Sequence, residues 1–349
     1  MSYSYFGRLE DGREVDAYTL VNDLGMEVTI LTYGGIIQSM IVPTGSGRRQ
    51  VVLGYACLDD YEVNPSYLGA TIGRSAGRIA KGLLTIDEKS YRLHEENKPL
   101  LHGGPYGFHQ QLMEARFVDI PFGQQLRLYF VAKEQMDGFP GDVEIEIIYQ
   151  LLRDENALKV TYRGFSAEKT YLNMTNHCYF NLSQDGRTSV GAHSMLINAD
   201  RYAPIDELSI PKPWAPVENT PMDFRKLKRI DQTLESLDEQ IKRANGIDHP
   251  FALERCENVH GLVLGATLLS PDQRIRLMVY TTQQHIVVYS GNFLDAGEVP
   301  SGQRFQKNQG ICFETQEKPN LVNEHPDRCF WTMPGSPYHE EIKYVFHSF

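Results

Sequence analysis

Two side chains in this sequence stand out as able to trade protons near neutral pH from strand-like settings. The first is His177, within Asn173-Met174-Thr175-Asn176-His177-Cys178-Tyr179-Phe180-Asn181-Leu182. Read as a strand, successive side chains alternate between two faces. Thr175, His177, Tyr179 and Asn181 then share a polar face, while Asn176, Cys178, Phe180 and Leu182 share a mostly apolar one. The pattern predicts a core-anchored strand holding an imidazole on its opposite face, which is either a site or a wet surface. The second is Glu314, within Gly310-Ile311-Cys312-Phe313-Glu314-Thr315-Gln316. There Glu314 shares a face with Cys312 and Gln316, while Ile311 and Phe313 point the other way. An ionised carboxylate is costly to bury. Burial therefore raises its pKa toward neutrality and suits it to general base catalysis. A solvated strand glutamate is the competing reading.

Three further segments place polar groups beside glycine. Gly73-Arg74-Ser75-Ala76-Gly77-Arg78-Ile79-Ala80-Lys81-Gly82 carries two arginines but neither a dinucleotide fingerprint nor a P-loop ending. Taken alone, it reads as a turn with solvated arginines. In Leu101-His102-Gly103-Gly104-Pro105-Tyr106-Gly107-Phe108-His109, glycines beside a histidine let backbone and ligand approach closely; a surface loop is the alternative. Gly246-Ile247-Asp248-His249-Pro250-Phe251 places an Asp-His pair where turn chemistry would also put one. His102, His109, His177 and His249 show no metal-ligand spacing, and no G-x-S-x-G elbow is present. What remains is a histidine and a glutamate on two strands, with arginine, aspartate and further histidine available. That set fits proton transfer on a neutral, hydroxyl-rich substrate.

The elements that must position these groups read as β. Met26, Val28, Ile30 and Thr32 alternate with Glu27, Thr29 and Leu31, and after Gly34-Gly35 the run resumes from Ile36 to Val42. Val143, Ile145, Ile147, Tyr149 and Leu151 keep the same period, as do Leu158, Val160 and Tyr162. Later runs are Gly261 to Leu269, Ile275 to Thr281 and Ile286 to Ser290. Turn clusters such as Thr44-Gly45-Ser46-Gly47 and Asp137-Gly138-Phe139-Pro140-Gly141 separate the runs. Short strands between frequent turns predict an antiparallel sandwich or barrel. Leu227, Ile230, Leu234, Leu237 and Ile241 are instead spaced 3, 4, 3 and 4 apart, which predicts one amphipathic surface helix. Asp223 is the expected N-cap or early-turn acid and Asn245-Gly246 the expected stop. No repeat or linker marks a boundary, so residues 1–349 read as one continuous β domain.

Composition narrows the function classes. Of 349 residues, 41% are hydrophobic and 23% charged, enough for a large buried core. The net charge of −11 argues against a nucleic-acid or anionic-membrane surface. Cys57, Cys178, Cys256, Cys312 and Cys329 are odd in number and lack C-x-x-C spacing, which points to a reducing cytoplasm over a disulfide framework or structural zinc. Met1 to Glu10 contains no apolar segment of the signal-peptide kind. No apolar run approaches the roughly 18 to 20 residues that span a bilayer.

Taken together and in order, the segments resemble the aldose 1-epimerase (galactose mutarotase) family. The matching pieces begin with Gly73-Arg74 through Arg78-Ile79, Leu101-His102-Gly103-Gly104 and Thr175-Asn176-His177 through Asn181-Leu182. They continue through Thr220-Pro221-Met222-Asp223-Phe224-Arg225, Gly246-Ile247-Asp248-His249 and Tyr280-Thr281-Thr282-Gln283. Gly291-Asn292-Phe293-Leu294, Glu314-Thr315-Gln316 and Pro334-Gly335 before Tyr338 complete the set. Each piece alone is weak; their order over nearly the whole chain is specific. The resemblance implies an all-β fold, a large antiparallel β-sandwich (the galactose mutarotase-like supersandwich) with few short helices and an open sugar cleft. It implies interconversion of the α and β anomers of a free aldose such as galactose or glucose. Glu314 is then the general base at the C1 hydroxyl and His177 the general acid at the ring oxygen. Arg78, His102, Asp248 and Gln283 bind the sugar or orient that pair. Neither a metal nor an organic cofactor is implied, and the expected assembly is a monomer or homodimer.

The sequence departs from the commonest family pattern in two places. Gly77 stands where many members have Asn before the arginine. Gly107-Phe108-His109-Gln110 stands where Gly-Phe-Asp-Lys is usual, followed by Leu112 and Met113 in place of a tryptophan. The second change alters the cleft edge and keeps open a disaccharide such as maltose, or another hexose. A catalytically silent sugar-binding relative and a phosphosugar epimerase are the remaining alternatives. Retention of both His177 and Glu314 weighs against the first, and the His102 and Asp248 matches weigh against the second.

Overall fold

In the computed structural model, which describes residues 2–45, 47–134, 138–254 and 261–349, the alternating runs form antiparallel ladders. Ser46, Asp137 and Cys256 lie outside the described residues. The largest sheet has nine strands. Glu114–Ile120, Gly123–Ala132, Val143–Leu152 and Ala157–Ser166 follow one another as a meander. Tyr338–Ser348 pairs next to Ala157–Ser166 and joins it to Ile275–Thr281, Val263–Leu269, Ser194–Ile197 and Lys228–Arg229. A five-stranded meander, Ser2–Arg8, Glu14–Val21, Glu27–Leu31, Ile37–Thr44 and Gly47–Gln50, forms a second sheet. A third runs in the order Ala215–Pro216, Ala199–Tyr202, Asp248–Leu253, His285–Tyr289 and Cys312–Gln316.

One apolar cluster lies between these sheets. It takes Val28 and Ile30 from the second sheet, Ile145, Ile147, Leu277 and Val279 from the largest, and Phe251, Val288 and Phe313 from the third. Alternation explains the selection: Val143, Ile145, Ile147, Tyr149 and Leu151 are buried, while Glu144 between them faces water. Each large aliphatic or aromatic side chain removed from water contributes about 1.5–3 kcal/mol, which is what holds the layers face to face.

The expected helix across residues 227–241 is corrected to two short helices, Asp231–Leu234 and Glu239–Ala244, preceded by the strand Lys228–Arg229. Local capping explains the break. Asp238 Oδ1 accepts from the Gln240 N–H at 2.8 Å and starts a new helix, while the Ser236 hydroxyl accepts from the Asp238 N–H. Ile230 and Ile241 enter the core, but Leu237 is 81% exposed. Asp223 pairs with Arg225 rather than capping a helix. The predicted stop holds, because Asn245 takes the left-handed conformation at φ 57° and closes the second helix.

The segment 173–182 is also corrected. Only Thr175–Asn176 forms a ladder, with Thr71–Ile72, and the remainder is extended chain threaded through the interior. Phe180 bridges Val52 on one side and Ile311 on the other. Phe180 N–H donates to the Ile311 carbonyl at 2.8 Å and Ile311 N–H returns a bond at 3.0 Å. The alternation itself survives: Cys178, Phe180 and Leu182 join the main cluster, and His177 faces away from it. We expect Phe180→Ala to cost about 3–5 kcal/mol and Leu237→Ala less than about 0.5 kcal/mol. Urea midpoints check this, and equal losses would contradict the two-helix packing.

Candidate active site

Two extended segments deliver the central pair. His177 N–H donates to the Ala70 carbonyl and the His177 carbonyl accepts from Gly69 N–H, fixing the backbone on both sides of the ring. Glu314 sits on the edge strand of the third sheet, opposite Val287. Phe313 anchors that strand in the core, so Cys312, Glu314 and Gln316 face the other way together. Cys312 Sγ then lies 3.5 Å from His177 Nδ1, and Gln316 Nε2 lies 3.3 Å from Glu314 Oε2. His177 Nε2 is 3.6 Å from Glu314 Oε1. At that separation the two groups are neighbours without a formed hydrogen bond.

The other sequence-selected residues divide into two sets. His177, Glu314, His102, Arg78 and Asp248 line one cleft of about 270 Å³. His102 is held by a reciprocal link: its N–H donates to the Gly77 carbonyl at 3.0 Å, and Gly77 N–H donates to its Nδ1 at 3.2 Å. Arg78 pairs in register with Leu101, which brings it beside the histidine. Arg78 Nη1 lies 3.8 Å from Asp248 Oδ2, and Asp248 opens the strand that pairs with Tyr289. Gln283 is placed differently and does not line the cleft. Its Nε2 meets the Tyr338 hydroxyl at 3.2 Å, and that hydroxyl accepts from Met174 N–H, three residues before His177.

The cleft also has residues that sequence reasoning did not select. Tyr179 carried a signal, since it shares the His177 face, and Gln316 shares the Glu314 face. Tyr67 and Tyr289 carried none, because three-dimensional packing alone brings them in. The Tyr67 ring meets His102 at 4.9 Å and His109 at 4.8 Å, both edge-on, and lies 5.9 Å from His177. Its backbone is left-handed at φ 55°, an outlier for a bulky residue. The position of Gly77 is explained by its surroundings. It has φ 68°, and a Cβ there would sit 2.5 Å from Pro319 Cγ. An asparagine side chain does not fit while Pro319 is in place.

Burial sets the electrostatics. It pushes Glu314 up to about 8, with the Asp248 charge adding to the effect and Arg78 opposing it. The same desolvation brings His177 down to about 4 and His102 well below its ordinary value. Near neutral pH these shifts favour a protonated Glu314 carboxyl beside a neutral His177 imidazole, so the 3.6 Å contact is not an ion pair. His102, His177 and Glu314 also offer donor atoms within 4.8 Å of one another, close enough to surround a metal ion. As hydrogen-bonded here, however, His102 Nδ1 is an acceptor. Its ring hydrogen then lies on Nε2, which makes that nitrogen a donor into the cleft and not a lone-pair ligand.

An antiparallel β-sandwich of this kind defines the galactose-mutarotase-like class of fold. Residues 16–345 match the aldose 1-epimerase family. The chain is 36% identical to the galactose mutarotase of Sus scrofa, covering 98% of this chain and 97% of that one. It is 34% identical to the aldose 1-epimerase of Escherichia coli K12, covering 96% of each. A crystal structure of galactose 1-epimerase from Lactobacillus acidophilus superposes with a TM-score of 0.86 at 28% identity, over 99% of this chain and 98% of that one. The chain belongs to the aldose 1-epimerase family and is an isomerase.

Glu314 has a folded-state pKa above its ordinary value of 4.5. The unfolded chain therefore releases this proton first. Stability contributed by this group falls as pH rises from about 4.5 and levels off above about 8. Glu314→Gln removes that cost. Its Tm is expected to exceed wild type by a few °C, with the gap widening between pH 5 and pH 8; thermal melts across that range check it, and a constant gap would contradict the raised carboxyl.

Proposed function

We propose that this chain interconverts the α and β anomers of a free aldose, with galactose and glucose as leading substrates. The observation that carries the reading is the close placement of Glu314 and His177, both buried, at one cleft of a chain from this family. Mutarotation is an isomerisation. One proton leaves the C1 hydroxyl and one reaches the ring oxygen, so the C1–O5 bond breaks to give an open aldehyde. Rotation about C1–C2 and reclosure with the roles reversed give the other anomer. Nothing is oxidised and no group is transferred.

In this reading Glu314 is the base toward the C1 hydroxyl and His177 the acid toward the ring oxygen. The resting pair, with Glu314 protonated and His177 neutral, reaches that state by passing the carboxyl proton to His177. Arg78 favours this step, because its charge stabilises the Glu314 carboxylate. Each partner in such acid–base catalysis contributes roughly 10²–10⁴-fold. Arg78 and Asp248 suit sugar hydroxyls, since charge-assisted hydrogen bonds fix their directions. The Nε2–H of His102 adds a neutral donor. The rings of Tyr67, Tyr179 and Tyr289 line the same cleft and offer apolar surface to the C–H faces of a pyranose. Gln283 acts in this reading through Tyr338 and the Met174 backbone, steadying the run that carries His177.

The same proposal extends to the rest of the chain. The apolar cluster that gathers residues from Leu20 to Phe346 supports one domain over residues 1–349. Among the described residues Cys57, Cys178, Cys312 and Cys329 are free, which supports a reducing compartment such as the cytoplasm. No helix among the described residues is long and apolar enough to cross a membrane.

Polarimetry on fresh α-D-glucose and α-D-galactose tests the activity. Wild type should speed the approach to equilibrium rotation, Glu314→Gln should lower kcat by about 10²–10⁴-fold, and His177→Asn should depress kcat more than KM. Sugar binding without any acceleration would leave only a binding protein. The pH dependence of kcat/KM should be bell-shaped. Activity falls above about pH 8 as Glu314 loses its proton, and falls below about pH 4 as His177 also becomes protonated. A profile flat across pH 5–10 would remove Glu314 from the reaction.

A further inference from the structure

Cys312, Glu314 and Gln316 share one face of their strand, and the outer two each touch one member of the acid–base pair. Gln316 is fully buried, and its Nε2 lies 3.3 Å from Glu314 Oε2. An amide N–H only donates. The oxygen that accepts it is best left without a hydrogen, so the carboxyl proton belongs on Glu314 Oε1. That is the oxygen 3.6 Å from His177 Nε2. For the proton to cross, Nε2 must present a lone pair, which puts the ring hydrogen of the neutral imidazole on Nδ1. The tautomer of a histidine is set by what its other nitrogen meets. Here Nδ1 meets Cys312 Sγ at 3.5 Å. Burial pushes that thiol well above its ordinary pKa, so the sulfur stays neutral and is neither a base nor a nucleophile. It still accepts an N–H weakly. The backbone carbonyl of His177 also favours a protonated ring, but it already accepts from Gly69 N–H.

We propose that Cys312 and Gln316 are positioning residues that fix where the pair's proton sits. The Gln316 amide directs it to the Glu314 oxygen facing His177. The Cys312 sulfur holds the Nδ1 hydrogen, so that Nε2 is free to receive the proton. In that transfer the Oε1–H bond of Glu314 breaks, the Nε2–H bond of His177 forms, and nothing is oxidised or reduced. The inference rests on the aldose reading for its effect on rate, while the placement of the hydrogens is observable without any sugar. Arg78 and Asp248 are the charged groups around the pair, and His102, His109, Tyr67, Tyr179 and Tyr289 are its neutral neighbours. The variants below leave all of them in place.

Nitrogen NMR at pH 7 on the full chain, with isotope-labelled histidine, tests it; the His177 signals are identified by their loss in His177→Asn. Wild type should carry the ring hydrogen on Nδ1. Cys312→Ala should move it toward Nε2 and lower kcat on fresh α-D-glucose or α-D-galactose about tenfold or more, with KM within about twofold. Cys312→Ser keeps an acceptor and should restore most of both. Gln316→Met removes the amide donor at similar volume. It should move the alkaline limb of kcat/KM above pH 8, since the neutral carboxyl is favoured once that hydrogen bond is gone. A wild-type hydrogen on Nε2 overturns the proposal whatever the variants do. So does an unmoved tautomer in Cys312→Ala, and so do equal losses in Cys312→Ala and Cys312→Ser, which would mean packing alone. An unmoved alkaline limb in Gln316→Met overturns the part given to Gln316. The expected tautomer and its shift, in a protein that accelerates no aldose, support the proton placement and overturn only the aldose reading.

Discussion

The reciprocal hydrogen bonds between Phe180 and Ile311 are the constraint on which the cleft depends. They tie together two segments far apart in sequence, three residues beyond His177 on one and three residues before Glu314 on the other. Phe180 and Phe313 then pack within the same cluster, with ring centroids 6.2 Å apart. Because side chains alternate along extended chain, locking these two aromatics inward leaves the imidazole and the carboxyl facing the opposite way. A backbone hydrogen bond is worth only about 0.5–1.5 kcal/mol net. Its value here is positional, since it holds two ionisable groups in surroundings that penalise their charged forms. The pKa displacements of Glu314 and His177, in opposite directions, follow from that placement.

Alternation was legible where one face is greasy and the other is not. Val143 to Leu151 appears in the fold as a strand with the expected side inward, and Ile275 to Thr281 is a strand as expected. The helix failed because hydrophobic spacing does not register a competing cap: Asp238 and Ser236 restart the backbone in the middle of the periodic run. Five of the six selected site residues meet in one cleft, and recognition of ordered motifs brought them together. Composition and period could identify them only as polar groups in odd places. Gln283 shows the limit of that route. Its motif marked it out, while its contacts are to Tyr338 behind the His177 run. Tyr67 and Tyr289 were invisible, because an aromatic in a turn or on a strand looks the same whether it faces a core or a ligand.

Gly77 links a sequence departure to its physical setting. The left-handed backbone and the nearness of Pro319 leave no space for a side chain, and both backbone polar groups of Gly77 are engaged with His102. Pro319 and the left-handed backbone exclude a side chain here, while the Gly77 N–H sets the tautomer of a cleft histidine. A substitution at residue 77 would reach the chemistry through His102 and Gln316 before it touched any sugar.

The strand Tyr338–Ser348 sits in the middle of the nine-stranded sheet, although it is among the last residues in the chain. During synthesis its two neighbours, Ala157–Ser166 and Ile275–Thr281, leave the ribosome long before it does. Until residues 338–348 arrive, both present open sheet edges of the kind that invite pairing with other chains. The distance along the chain between the joined strands also makes this closure a slow, late event in folding. The architecture thus leaves a nascent polypeptide dependent on residues 338–348, and exposed to self-association or chaperone capture until that strand docks.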